Sequence, residues 1–164
     1  MATLTVLEFE TPDGAEQGLA LVGRLQTQNL IKVQDAAIVT WREGARKPRT
    51  RHLAEIAGTS GGALGGAFWG MLLGLIFFVP FLGMAVGALS GALAGQFRNY
   101  GINDQFIADV RAKVTQGTSA LFLLTSDAVV DRVIEAMKTL PKFEIVSTNL
   151  PTEQEEALRA AFGE

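Results

Sequence analysis

The chain has 164 residues with 14 basic and 17 acidic side chains, which gives a formal charge of −3. This length suits one domain with an insertion, and the acidic balance excludes a general attraction to nucleic acid. The absence of cysteine excludes disulfides, thiolate metal ligands and cysteine nucleophiles.

The first forty residues show the pattern of a β-α-β unit. Leu4–Glu10 and Val33–Arg42 are rich in strand-forming residues, and Pro12–Gln28 between them repeats apolar residues at helical spacing. Glu8 and Glu10 are expected to be exposed near a sheet edge. Because the first ten residues lack a basic region followed by an apolar one, we expect no cleaved signal peptide.

The residues that follow position 101 repeat this order of elements. Asn103 is a candidate N-cap for one helix, and Pro141 ends a later helix. The elements are predicted at Ile102–Gln116 (helix), Ala120–Thr125 (strand), Asp127–Leu140 (helix), Phe143–Thr148 (strand) and Pro151–Phe162 (tail helix).

Two β-α-β units in series predict an α+β fold of the ferredoxin-like split β-α-β plan, with four antiparallel strands and two helices on one face of the sheet. A glycine-rich α-helical hairpin is inserted between the second and third strands. The predicted divisions are 1–42 for the first half, 43–117 for the insertion, 118–150 for the second half and 151–164 for the tail helix.

The insertion contains a segment, Ile56–Phe97, without any charged side chain. Its glycines recur every four residues, which places them on one helix face where another helix can approach closely. Pro80 interrupts the pattern and predicts a turn between two arms. The glycines are Gly58, Gly62, Gly66, Gly70 and Gly74 in the first arm, and Gly83, Gly87, Gly91 and Gly95 in the second.

The hairpin is expected either to enter a membrane or to form the buried centre of a homo-oligomer. The first arm, Ile56–Phe78, would be about 34 Å long and the second, Phe81–Phe97, about 25 Å, against the roughly 30 Å of a hydrocarbon core. Large side chains cluster near the turn, whereas Ala57–Ala67 consists almost entirely of small residues. We predict membrane insertion, and soluble burial remains the alternative.

A basic collar precedes the hairpin. Basic residues on the cytoplasmic side of an apolar segment are typical of contact with anionic lipid headgroups, and a solubilising loop is the alternative interpretation. The basic collar consists of Arg42, Arg46, Lys47, Arg49 and Arg51.

The predicted strands are apolar on both faces. Val6 in the first strand, and Phe122 and Leu124 in a later one, would face the side of the sheet that the two predicted helices leave open. Such a face needs a cover, which the hairpin, the tail helix or another subunit can supply. We expect another subunit there.

No pattern of catalytic residues is recognisable. His52 is the only histidine, which rules out a multi-histidine metal site. The run Gly61–Gly66 lacks the Lys-Ser/Thr ending of a phosphate-binding loop, and no serine stands in a nucleophile elbow. We therefore expect no enzymatic activity, no metal and no cofactor.

The early strand that ends at Phe9, the basic collar, the glycine files around Pro80 and the strand at 120–124 together resemble a bacterial family of predicted membrane proteins, domain-of-unknown-function family twelve sixty-nine. The resemblance covers most of the chain and implies a bacterial origin and a membrane protein. It implies no catalytic residue. Because the basic collar precedes the hairpin and Arg98 follows it, we expect the cytoplasmic membrane, with the rest of the chain as a cytosolic domain.

The expected function is that of a non-enzymatic protein that associates with itself, because the glycine-zipper hairpin drives homo-oligomerisation in or at the membrane. Its expected partners are further copies of itself and membrane lipid, with neither nucleic acid nor an identified small-molecule substrate. A soluble cytoplasmic assembly or shell with buried hairpins is one alternative. A ligand-binding sensor that uses the sheet is the other.

Overall fold

The computed structural model describes residues 2–52, 65–78, 97–126 and 130–162. Short loops separate most of the elements. They are β1 (Ala2–Phe9), α1 (Gly14–Thr27), β2 (Lys32–Thr40), β3 (Arg49–His52), α2 (Gly65–Leu73) with a π-helical turn (Gly74–Phe78), α3 (Asp104–Lys113), β4 (Ser119–Ser126), α4 (Val130–Met137), β5 (Phe143–Leu150) and α5 (Thr152–Phe162).

The strands form one five-stranded antiparallel sheet in the order β3-β2-β4-β1-β5. The predicted α+β class is confirmed, and four of the strands lie where the alternation of apolar residues places them. The fifth strand, β3, was not predicted. It contains residues of the basic collar and pairs with β2, so that Thr40 lies opposite Arg49 and Ile38 opposite Arg51.

The outer face of the sheet is covered by α1 and α4. Leu121 and Leu123 of β4 pack there against Leu21 and Leu25 of α1 in one buried cluster. The start of α1 presses so closely on β1 that a Cβ added at Gly14 would lie only 2.4 Å from the Phe9 Cβ atom, so glycine is needed at this position. This layer follows from the apolar spacing of the two β-α-β units.

The inner face is covered by α2 and its π-helical turn, together with α3 and α5. These elements and the sheet share a second buried cluster, whose aromatic centre is formed by Phe122 of β4 against Trp69 and Phe77. The ring centroids of Trp69 and Phe122 are 6.2 Å apart, and those of Phe77 and Phe122 are 6.5 Å apart. Helices therefore lie on both faces of the sheet. The helices of the two β-α-β units, α1 and α4, share the outer face, and the insertion and the tail helix cover the face that these two leave open.

Polar contacts near both ends of α3 stabilise the inner layer. The Asn103 side chain accepts a hydrogen bond from the Phe106 backbone N–H at 2.9 Å, which confirms the expected N-cap of α3. Arg111, near the end of α3, donates from Nε to the carbonyl of Ile76 at 2.9 Å and from Nη2 to the carbonyl of Leu75 at 2.8 Å. These are charge-assisted bonds, and they connect α3 to the middle of the π-helical turn.

Candidate functional site

The described part of the glycine-rich first arm has two dissimilar sides. Phe68, Trp69 and Leu72 are buried against the sheet, each at no more than 1% exposure. The opposite side, which we call the glycine face, consists of small residues that are exposed or partly exposed: Ala67, Gly70 and Gly74.

The glycine face is open among the described residues. A Cβ atom built at Gly70 or at Gly74 meets no described atom within 4 Å. The segment 65–78 contains no charged residue, although an exposed helix side in water is ordinarily polar. A smooth, uncharged helix surface of this kind is suited to close contact with another helix.

Several residues of the predicted zipper lie outside the described residues. Gly66 lies within α2, and Gly70 and Gly74 are on the glycine face. The predicted turn and the other zipper positions are not described: Gly58, Gly62, Pro80, Gly83, Gly87, Gly91 and Gly95.

The large apolar residues near the predicted turn are buried within the chain. The sequence favoured membrane insertion for this segment and left burial in protein as the alternative; Trp69, Leu73, Leu75, Ile76 and Phe77 are at most 4% exposed. Among the helices in the described part of the chain, none combines the length and the apolar character needed to cross a bilayer.

The predicted sheet-face interface is also covered by the chain itself. Val6, Phe122 and Leu124 are 1%, 0% and 2% exposed in the single chain, and they share the inner cluster with α2 and with Leu158 of α5. The sequence favoured another subunit as the cover. Apolar side chains of the insertion and of the tail helix cover this face within the single chain.

The basic collar folds into a concave site at the edge of the sheet. Four of its members line a cavity of about 210 Å³, which we call the basic cleft. The walls come from the β1–α1 connection, from the β2–β3 connection and from β3. The lining residues are Pro12, Asp13, Glu16, Thr40, Arg42, Ala45, Lys47, Arg49 and Arg51.

The cations of the cleft are only partly neutralised. Arg51 donates to a Glu16 carboxylate oxygen at 2.5 Å. For Arg42, Lys47 and Arg49, the described residues supply no ion-pair partner. The fifth member of the collar, Arg46, is exposed and does not line the cleft. The tertiary structure therefore brings four cations of the basic collar into one cleft and leaves Arg46 outside it.

A second cavity, which is mainly apolar, adjoins the cleft. This apolar recess, of about 270 Å³, is lined by Leu19 and Ala20 of α1 and by Ile38 of β2, and it shares Glu16 and Arg51 with the basic cleft. Sequence reasoning missed the recess because its walls come from separate elements. The Glu16–Arg51 ion pair stands at the boundary between the two cavities.

A third cavity, of about 480 Å³, lies beside the π-helical turn. Its cationic group, Arg111, is already bound to the carbonyls of the turn. The cavity is lined by Trp41, Ile76, Phe77, Arg111, Val114, Thr115 and Gln116.

One carboxyl group is unexpectedly buried. Glu8 is 6% exposed, although the sequence predicted an exposed residue. It lies opposite Glu144 in the β1–β5 pair, and Lys113 of α3 binds Glu144 at 2.9 Å. Burial, and then repulsion from Glu144 and Glu10, raises the pKa of Glu8, while the attraction of Lys113 opposes this shift.

The described residues contain no group of three or more histidine, cysteine, aspartate or glutamate side chains placed to hold a metal ion. What they do contain is a packed α+β domain with an uncharged glycine face on one layer and a basic cleft on the other. The protein is thus an α+β domain with two candidate binding surfaces, the glycine face and the basic cleft.

The chain belongs to a family described as protein of unknown function (DUF1269), whose model matches residues 63–163, more than half of the chain. The match begins just before α2 and continues through α5, so it includes the inner layer and leaves out β1 to β3 with the basic cleft. Searches of curated proteins and of solved structures found no match.

Proposed function

We propose that this protein associates with itself through the glycine face of α2, and that its function resides in this assembly and not in catalysis. The observation that carries the proposal is the orientation of α2. Its large side chains are buried on the sheet, while Gly70 is exposed and Gly74 partly exposed on the opposite side. A helix held in this way presents its backbone to an incoming helix.

A second copy is the occupant that we propose for the glycine face. The face lacks the polar and charged side chains that a helix side in contact with water ordinarily carries. A helix of another copy with the same small residues would complement it, because two such surfaces allow the backbones to approach closely. In this proposal the second arm of a glycine-zipper hairpin extends the same surface.

We also propose that the domain has the ferredoxin-like plan, with an insertion between its second and third strands. Without the short strand β3, the sheet order is β2-β4-β1-β5, and α1 and α4 lie on one face. This arrangement supports a split β-α-β core to which β3 and the inner layer are added.

Size measurement by light scattering tests the self-association. Gly70→Leu and Gly74→Leu should each lower the mass of the purified assembly, because a bulky side chain separates helices that need backbone contact. Gly23→Leu is the matched control. Gly23 is also an exposed helical glycine with open space around its Cβ position, but it lies on α1 in the other layer.

The result that contradicts the proposal is a wild-type mass for both glycine-face variants. A lower melting temperature at unchanged mass would assign the glycine face to a contact within one chain. A mass loss shared by Gly23→Leu would show a general effect of leucine on solubility or folding.

A further inference from the structure

The basic cleft carries an inference that is independent of self-association. Four cations, Arg42, Lys47, Arg49 and Arg51, and two carboxylates, Asp13 and Glu16, line it, which leaves an excess of two positive charges. Clefts lined by one sign of charge raise the local concentration of the opposite ion. The cleft is therefore suited to a compact anion with more than one negative charge.

The cations of the cleft are available for a ligand. Arg51 is bound to Glu16, whereas Arg42, Lys47 and Arg49 have no ion-pair partner in the part of the chain that the structure describes. Arginine presents a planar set of donors that fits phosphate oxygens in pairs, and lysine adds a compact charge. A phosphate monoester carries about −1.5 to −2 charges at pH 7, which matches the excess.

Side chains, and not the start of α1, provide the recognition in this cleft. The Ala15 N–H at the beginning of the helix donates to the Ser119 hydroxyl at 3.0 Å, and that hydroxyl donates in turn to the Thr11 carbonyl at 2.7 Å. The Gly14 N–H is directed to the same Thr11 carbonyl at 3.4 Å. These early helix donors are therefore already used.

The apolar recess indicates what the rest of the ligand is. Leu19, Ala20 and Ile38 line it, and it meets the basic cleft at the Glu16–Arg51 pair. A ligand that bridges both cavities would place a charged group among the cations and a hydrocarbon group against these apolar side chains. An inorganic anion would leave the recess unfilled.

We propose that the basic cleft and the apolar recess together bind an amphipathic phosphate, namely a phosphate monoester that carries a hydrocarbon group. The phosphate lies among Arg42, Lys47 and Arg49, and the hydrocarbon lies against Leu19 and Ile38. Such a ligand can come from a membrane, as phosphatidic acid, or from solution, as a free alkyl phosphate. Both sources present the same chemistry to the site.

Titration calorimetry with three probes tests whether the basic cleft binds the phosphate and the apolar recess binds the hydrocarbon group. Hexyl phosphate should bind more tightly than inorganic phosphate, by about fourfold for each methylene that the recess buries. Hexanol, which lacks the charged group, should not bind measurably. Equal affinity for hexyl phosphate and inorganic phosphate would overturn the assignment of the recess, and no binding of either would overturn the proposal.

Matched substitutions separate the cleft from general electrostatic attraction. Lys47→Gln and Arg49→Gln should each weaken the binding of hexyl phosphate by roughly tenfold, because each removes a charge-assisted hydrogen bond to the phosphate. Arg46→Gln makes the same change in charge outside the cleft and should leave the affinity within about twofold, since exposed charges are screened by salt. Equal weakening by all three variants would overturn the site.

Filling the recess gives an independent test. Ala20 is exposed at the rim of the recess. Ala20→Phe should remove the advantage of hexyl phosphate while inorganic phosphate still binds with its original affinity. Circular dichroism confirms that each variant is folded, and an unchanged preference for hexyl phosphate in a folded Ala20→Phe variant would contradict the assignment.

Vesicle flotation identifies the source of the ligand. Phosphatidylcholine vesicles that contain phosphatidic acid are compared with vesicles that contain phosphatidylserine, which carries negative charge without a phosphate monoester. Flotation with phosphatidic acid that hexyl phosphate inhibits supports the site with a membrane source. Binding of hexyl phosphate without flotation supports it with a soluble source, and equal flotation with both lipids that hexyl phosphate does not inhibit contradicts it.

Discussion

The helices on the two faces of the sheet differ in how much they need tertiary contacts to remain helical. On the outer face, α1 and α4 combine an apolar side with a charged one, as ordinary surface helices do. On the inner face, α2 contains three glycines in nine residues, and each glycine costs about 1 kcal/mol relative to alanine in an exposed helix. Packing on the sheet and the hydrogen bonds from α3 to the π-helical turn therefore stabilise α2 as a helix.

Two adjacent residues of β4 allow the largest test of this comparison. Phe122 faces the inner layer and Leu121 the outer layer, and both are 0% exposed. Phe122→Ala and Leu121→Ala should each lower the free energy of unfolding by about 3–5 kcal/mol, because each leaves a cavity in a packed core. Hydrogen exchange should then show lost protection at 65–78 for Phe122→Ala and at 14–27 for Leu121→Ala.

Equal loss of protection in both layers for both variants would contradict the view that each layer depends on its own side of β4. It would mean that the sheet and its two coverings unfold only as one unit. Denaturant unfolding gives the stability change, and exchange under native conditions gives its location.

A smaller change in stability is expected when the hydrogen bonds between Arg111 and the π-helical turn are removed. Arg111→Met keeps much of the side-chain volume and removes the two hydrogen bonds to Leu75 and Ile76. Because Arg111 is itself exposed to solvent, the loss in the free energy of unfolding should be about 1.5 kcal/mol, the lower end of the range for bonds that involve a charged group, and it should appear as faster exchange at 65–78. Thermal unfolding and hydrogen exchange measure it.

Lys113→Met is the control on the same helix. Lys113 forms an ion pair with Glu144 at the surface, and such pairs contribute little because solvent screens them. A loss of stability in Arg111→Met that did not exceed that in Lys113→Met would show that the carbonyl contacts do not hold the turn.

The smallest effect concerns the carboxyl group of the inner face. Because burial and neighbouring carboxylates raise the pKa of Glu8 in the folded state, ionisation of Glu8 destabilises the fold above that pKa. Glu8→Gln mimics the protonated form and should raise the melting temperature at pH 7. The gain should shrink as pH falls through the raised pKa and vanish below the ordinary value of an unfolded glutamate.

Glu43→Gln is the control, since Glu43 is exposed and is not among the charges that shift the pKa of Glu8. Thermal unfolding from pH 3 to pH 8 makes the comparison. A gain for Glu8→Gln that stayed constant across this range would contradict a raised pKa as its cause.

Much of the outer half of the fold could be predicted from the sequence. The segments that form β1, α1, β2, β4 and β5 show their alternating or helical spacing within a few residues, and the capping role of Asn103 follows from its place before an amphipathic helix. These are local signals. The strand β3 has none, because Arg49–His52 is polar throughout and becomes a strand only by pairing with β2.

The candidate sites show the same division. The apolar character of Ile56–Phe97, the repeat of its glycines and the concentration of positive charge before it are properties of the sequence alone. They predict a region suited to close contact, but an apolar segment can make such contact with lipid, with another subunit or with its own sheet. Only the tertiary structure decided that Trp69, Leu72 and Ile76 pack on the inner face, because this choice depends on which surface is nearest and uncovered. In the same way, Arg46 and Arg49 are equivalent in the sequence, and only the folding of β3 beside α1 brought Arg49 into the basic cleft and left Arg46 outside it.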